Sequence, residues 1–316
     1  MQAVDEDEGR RRIGGRFTYY EETDGPGATT TEETRAVVNT GAELTFKSSR
    51  VWAGAENKAF DLNGIRHIFE PALNYVFVPR PNARPPELPQ FDPELLSLRT
   101  LPIDFPDYNA IDAIDAQNVL RIGMRNRLQT KREDVVQNFL AWGVFTDWRL
   151  TPRTNQTTFA PLTSTLEFRP RNWLTFQSET RYDLDRRRWI ESDHHLVIEP
   201  NNVWSMSLGH RYLDSNSSLG LGLGYNLITT SFYYRMNENW ATRVSHHFEA
   251  RDGTLEEQYY TLYRDLRSWT AALTFRVRDN RRRTDDYTIA ATFSLKAFPR
   301  FGINSDRDKP SLLVGY

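Results

Sequence analysis

The chain has no cysteine among its 316 residues, which excludes disulfides and thiolate metal sites and leaves the redox compartment open. It also lacks any stretch near the roughly 18 to 20 consecutive apolar residues that a spanning helix needs, so it is not a helical membrane protein. Net charge is only −2, without the basic excess of a phosphate-binding surface, which argues against nucleic acid as the main partner. Lysine is scarce: only Lys47, Lys58, Lys131, Lys296 and Lys309 occur, so 35 of the 40 basic residues are arginine. Guanidinium forks grip carboxylate and phosphate bidentately and tolerate partial burial, which suits a crowded polar interior or an anionic ligand. High genomic GC content gives the same bias. There is no G-x-S-x-G elbow, no H-E-x-x-H and no phosphate-cradling glycine loop, so neither an enzyme nor a cofactor site is expected. The start, an acidic cluster followed by Arg10, Arg11 and Arg12, has no apolar leader core. A secreted protein would be mature or truncated here, and truncation is the favoured expectation.

What is present is period-two alternation, repeated along the chain and punctuated by turns. Trp269, Ala271, Leu273, Phe275 and Val277 alternate with Thr270, Ala272, Thr274 and Arg276. Tyr287, Ile289, Ala291, Phe293 and Leu295 do so with Thr288, Ala290, Thr292, Ser294 and Lys296. Earlier, Leu120, Ile122, Met124 and Leu128 oppose Arg121, Gly123, Arg125, Arg127 and Gln129. In a membrane barrel every second residue faces lipid and its neighbour faces a wet lumen, so mean hydropathy stays that of a soluble protein. Aromatics at 13% supply the apolar face.

The connections fall into two classes. Short turns end in tryptophan: Arg169 to Trp173, Glu199 to Trp204, Met236 to Trp240 and Arg264 to Trp269, spaced 31, 36 and 29 residues apart. The others are longer and more charged: Asp183 to Arg188, Asp214 to Ser218, Ala250 to Glu257 and Arg278 to Asp286. Tight periplasmic turns, longer outer loops and interfacial aromatics have this asymmetry, which assigns Trp173, Trp204, Trp240 and Trp269 to a membrane interface.

These features predict an all-β fold: an antiparallel up-and-down transmembrane β-barrel with about 14–15 strands in this chain, in the outer membrane. Residues 1–12 are expected as a lead-in and 13–316 as the barrel. Segments near 219–236, where Gly220, Gly222 and Gly224 alternate with leucines, are expected to exceed a minimal crossing. Residues 79–117 hold eight prolines and cannot be a central strand; this long loop is expected to fold over or into a pore. Only Asp92 to Arg99 within it has a helical look.

Inward positions by parity include Arg121, Arg125, Arg127, Arg149, Arg169, Glu179, Arg181, Arg211, Arg243, Glu249 and Arg276. Two readings of them stand: a charged lumen for a phosphorylated sugar head group, or internal salt-bridge packing. The pairs His194–His195 and His246–His247 suggest metal, but neighbours on a strand point to opposite faces, so neither pair chelates one ion.

The stretch from Arg66 to Pro79 (RHIFEPALNYVFVP), then Phe91-Asp92, then Asp112 to Arg132 (DAIDAQNVLRIGMRNRLQTKR) resembles the barrel region of the LptD family of lipopolysaccharide-assembly proteins. That resemblance implies a large barrel inserting lipopolysaccharide into the outer leaflet, with lateral release, and partners among lipopolysaccharide or another anionic glycolipid, outer-membrane lipid, a plug lipoprotein and periplasmic bridge proteins. Family members carry a periplasmic jellyroll ahead of the barrel and cysteines that tie it down; with no room for the one and none of the other in this sequence, the chain is expected to be a fragment of a larger barrel. The competing readings are an outer-membrane porin or substrate-specific channel, and a soluble all-β propeller or solenoid.

Overall fold

A computed structural model describes residues 6–21, 32–88, 114–152, 156–215, 224–280, 284–296 and 302–303. Its strands are β1 (Glu6–Tyr20), β2 (Glu33–Asn57), β3 (Leu62–Val78), β4 (Gln117–Arg132), β5 (Val135–Arg149), β6 (Leu162–Arg171), β7 (Leu174–Asp183) and β8 (Arg188–Ile198). They continue as β9 (Trp204–Leu213), β10 (Tyr225–Arg235), β11 (Trp240–Glu249), β12 (Thr254–Leu266), β13 (Trp269–Arg278), β14 (Asp286–Leu295) and the two-residue β15 (Gly302–Ile303). All lie in one sheet in sequence order, each antiparallel to the next. The all-β, up-and-down architecture and the strand count expected from alternation are therefore present. Among the described residues β1 and β15 form the ends of the sheet.

The register sorts side chains onto two faces, because directly opposed residues share a face. One row runs Thr274, Thr261, Arg243, Tyr233 and Ser205 across β13 to β9. One residue away, Leu273, Leu262 and Thr242 make a row on the other face. Burial separates the two: Thr261 is 1% and Thr274 3% exposed, against 39% for Leu262 and 51% for Leu273. Crowded threonines beside exposed leucines mean that the polar face is the inner one. Ile13, Phe17, Val38, Leu44, Leu208, Ile228, Phe232, Tyr260, Phe275 and Ile289 extend the exposed apolar face. In water such an area would be an aggregation surface; against acyl chains it is the stabilising one.

Turn chemistry explains the short connections. Glu133 and Asp134 join β4 to β5 as a two-residue turn, both at positive φ (47° and 64°), the twist that suits a hairpin. The Asn201 side-chain oxygen accepts from the backbone N–H of Val203 and Trp204 at 2.9 and 3.2 Å. Asn237 repeats this with Asn239 and Trp240 at 2.9 and 3.0 Å. The recurrent asparagine three residues before tryptophan is thus an Asx turn that starts the next strand.

A cation locks three short turns together. Arg132, 3% exposed, donates to the carbonyls of Phe60 (3.0 Å), Asp61 (3.1 Å), Arg169 (3.0 Å) and Pro170 (2.9 Å). It joins the β4 end to the β2–β3 and β6–β7 turns. Arg171 adds bonds to Lys58 O and Ala59 O at 2.5 and 2.9 Å. Unmet carbonyls at closed turns are costly, and one guanidinium offers five donors.

Several expectations shift in detail. The connections at 184–187 and 250–253 close in four residues each, because Asp183 Oδ1 accepts from the N–H of Asp185 and Arg186 at 3.0 and 2.9 Å and Gly253 supplies φ +67°. β2, with 25 residues, far exceeds a minimal crossing, and the described part of 219–236 holds the 11-residue β10. Gly224 sits at φ +67° and the paired ladder of β10 starts only at Tyr225; residues 216–223 lie outside the described residues. At about 3.3 Å per residue β2 runs to roughly 80 Å, well past the ~25 Å apolar band of a membrane barrel. β1 begins at Glu6, within the span expected as a lead-in.

Of the proline-rich loop, residues 79–88 and 114–116 are described, while 89–113, including Asp92 to Arg99, lie outside the described residues. Both described ends turn to the inner face. Val37, Val76, Val78 and Ile114 form one small core and Tyr20, Ala83 and Leu88 another. Asn82 pairs with the free edge of β2, accepting from Ala36 N at 2.8 Å and donating to Thr34 O at 2.6 Å. Arg35, 2% exposed, donates to Ile114 O. A single 3₁₀ turn, Pro85–Glu87, follows. Hydrogen bonds from the Arg84 backbone N–H and guanidinium hold the Glu87 carboxyl below its ordinary pKa.

Candidate functional site

β4 carries arginine at alternate positions, so Arg121, Arg125 and Arg127 share the inner face with Gly123. Their surroundings differ. Arg121 makes a two-point bond to Asp147 on β5, Nε to Oδ1 at 2.7 Å and Nη2 to Oδ2 at 3.1 Å, and lies over the Phe145 ring at 4.9 Å. Arg127 reaches back to Glu70 on β3, with Nη2 2.8 and 2.9 Å from its two oxygens. The side chain of Arg125, directly opposite Glu70 on one side and Gly143 on the other, has no hydrogen bond or ion pair among the described residues.

Arg125 projects into a cavity of about 550 Å³, which Glu43, Thr45, Lys47, Glu70, Asn74, Arg121 and Thr165 also line. Two local features make this space. Pro71 has no N–H to give, and the β2–β3 ladder passes from Thr45↔Ala72 to Ser48↔Phe69 without pairing the residues between. The floor is bare as well, with Ala72, Gly123 and Gly143 as its inner residues. A Cβ at Gly143 would stand 3.1 Å from Thr165 Oγ1. The cavity carboxylates are already engaged: Glu70 by Arg127 and Glu43 by Arg12 at 3.6 Å.

The remaining arginines singled out by parity spread over the wall. Arg149 donates to Thr157 O and Oγ1 at 2.8 and 2.9 Å. Arg169 pairs with Glu167 on its own strand at 2.6 Å. Arg181 and Arg211 converge on Glu191 at 3.7 and 3.9 Å, and Arg211 also approaches Asp193 at 3.7 Å. Arg243 lies 5.6 Å from the Tyr233 ring centre, and Arg276 donates to Thr288 Oγ1 at 3.3 Å. Glu179 stands opposite Asp193. Glu249 caps β10 by accepting from Asn226 N at 2.9 and 3.1 Å. Arg121, Arg127, Arg169, Arg181 and Arg211 thus each lie within ion-pair distance of a carboxylate.

Trp173, Trp204, Trp240 and Trp269 all lie at the short-turn end, Trp173 in the β6–β7 turn and the others as first residues of β9, β11 and β13. Trp204 packs on Phe232 at 6.4 Å, and the Arg264 guanidinium lies over Trp240 at 4.8 Å. A cation over the face of an indole is a favourable contact.

The histidine pairs do split between faces. His194 stacks on His210 at 5.7 Å on the outer face, while inner His247 meets Glu257 at 3.4 Å. Among the described residues no group of three or more histidine or acidic side chains is placed to hold a metal. The carboxylates Glu70, Glu191 and Glu257 were not singled out by sequence reasoning. Parity alone could not pair them, because the partner depends on inter-strand register.

The family model for LptD, described as LPS transport system D, matches residues 16–240. That span runs from within β1 to the first residue of β11 and includes the whole cavity. No curated protein matches the chain.

Proposed function

The chain belongs to the LptD family, and on that premise we propose that it inserts lipopolysaccharide into the outer leaflet by passage along its polar inner face and lateral release between strands. As a member of that family it is an outer-membrane protein of lipopolysaccharide transport, and the exposed apolar face opposite a polar one fits that setting. The observation that carries the route is the inner face itself. Threonine, serine and arginine rows line it, and a glycolipid head group needs polar groups along its path while its acyl chains need hydrocarbon. Nine arginines (Arg121, Arg125, Arg127, Arg149, Arg169, Arg181, Arg211, Arg243 and Arg276) are the proposed head-group-facing cations. A plug lipoprotein and periplasmic bridge proteins are the proposed partners, with outer-membrane lipid around the wall.

The test is photo-cross-linking in cells, with a benzophenone amino acid at Thr261, Thr274 or Leu273. Lipopolysaccharide cross-links at Thr261 and Thr274 that disappear when its supply is stopped are expected. No cross-link at either position, together with stable ion conductance of the purified protein in a planar bilayer, would overturn the transport reading in favour of a diffusion channel.

A further inference from the structure

We propose that the cavity around Arg125 is a binding site for a phosphorylated sugar, with Arg125 as its anion fork. The charge balance of the wall points there. Along β4 the flanking guanidiniums are engaged, Arg121 by Asp147 and Arg127 by Glu70, and Arg125 between them is not. Arg125 and Arg127 are two residues apart on one face, a rise of about 7 Å, and Glu70, the carboxylate opposite Arg125, is taken by Arg127. On its other side, where Arg121 meets Asp147, Arg125 meets only Gly143 of β5.

The absent side chain leaves room for a ligand. Gly143, Gly123 and Ala72 form the floor, the break at Pro71 opens the wall, and about 550 Å³ lies between, within the ordinary range for small-ligand sites. A guanidinium binds two phosphate oxygens in parallel, which a point charge cannot do. Lys47 lines the same cavity and adds a second cation, while Thr45, Asn74 and Thr165 offer the neutral hydroxyl and amide groups that sugar hydroxyls require. A sugar phosphate uses both sets, whereas inorganic phosphate uses only the first. The sugar identity rests on the transport reading, since lipopolysaccharide carries such groups; the anion site stands on the geometry.

The experiment is calorimetric titration of the full chain folded in detergent, with glucosamine 1-phosphate, inorganic phosphate and glucosamine as probes. The wild type is expected to bind glucosamine 1-phosphate at least about tenfold more tightly than either of the others. Loss of a charged hydrogen bond of this kind weakens binding about tenfold or more, so Arg125→Gln should show that loss, with Arg125→Lys between it and the wild type. Gly143→Asp, which offers the guanidinium a protein carboxylate, should abolish binding. Heat-modifiable gel migration and β-type circular dichroism identify variants that have folded. Equal binding by folded Arg125→Gln and wild type, equal affinity for inorganic phosphate and the sugar phosphate, or no binding by the wild type would each overturn the proposal. The two readings fail separately. A missing cross-link at Thr261 and Thr274 strikes the transport route without touching the titration, and a flat titration strikes this site without touching the cross-link.

Discussion

Arg121 and Asp147 face each other across β4 and β5, joined by two hydrogen bonds of 2.7 and 3.1 Å, with side chains 17% and 16% exposed. Removing one member leaves the other charge largely withdrawn from water, which costs more than the pair itself contributes. Asp147→Asn is expected to destabilise the folded wall by about 1–3 kcal/mol, read as a lower urea midpoint for loss of heat-modifiable migration. The double variant Arg121→Gln/Asp147→Asn should recover part of that loss. An unchanged midpoint in the single variant would show that solvent screens the pair.

Arg132 bonds four backbone carbonyls in two different turns. Arg132→Gln supplies at most two of those donors, so roughly 2–4 kcal/mol of stability should go. Hydrogen exchange should rise first around 58–61 and 169–172. A protected pair of turns in the folded variant would mean that their own hairpin bonds suffice.

Asn82 fills the edge of β2 beyond its pairing with β3. Asn82→Ala should leave global stability within about 1 kcal/mol and speed exchange at Ala36, with new protease cleavage near residues 79–88. Unaltered exchange at Ala36 would mean that Arg35 and Ile114 hold the loop end without it.

Faces were legible in the sequence where register was not. Alternation assigned Arg121, Arg125 and Arg127 to one side because side-chain period in a strand is two. Which carboxylate meets each arginine depends on strand offset, so Glu70 bonds Arg127 diagonally rather than Arg125 directly opposite. The length of β2 was hidden because Ser48 and Arg50 take outer-face positions beyond Phe46 and break the greasy row. Charge density suggested long loops at 184–187 and 250–253, yet side-chain oxygens and one glycine close them tightly. The cavity had two local signals, Pro71 inside a strand and glycines at inner positions of β4 and β5. Each reads as a defect alone, and only their juxtaposition on β3, β4 and β5 opens the cavity.

Central to all of this is that neighbouring residues of one strand meet different media. Nitroxide labels at Leu273, Phe275 and Ile289, and at Thr274 and Arg276, report it directly through collision with oxygen or with a water-soluble nickel chelate in reconstituted bilayers. Oxygen-dominated relaxation is expected at the first three positions and chelate-dominated relaxation at the other two. Identical accessibility at Leu273 and Thr274 would contradict it.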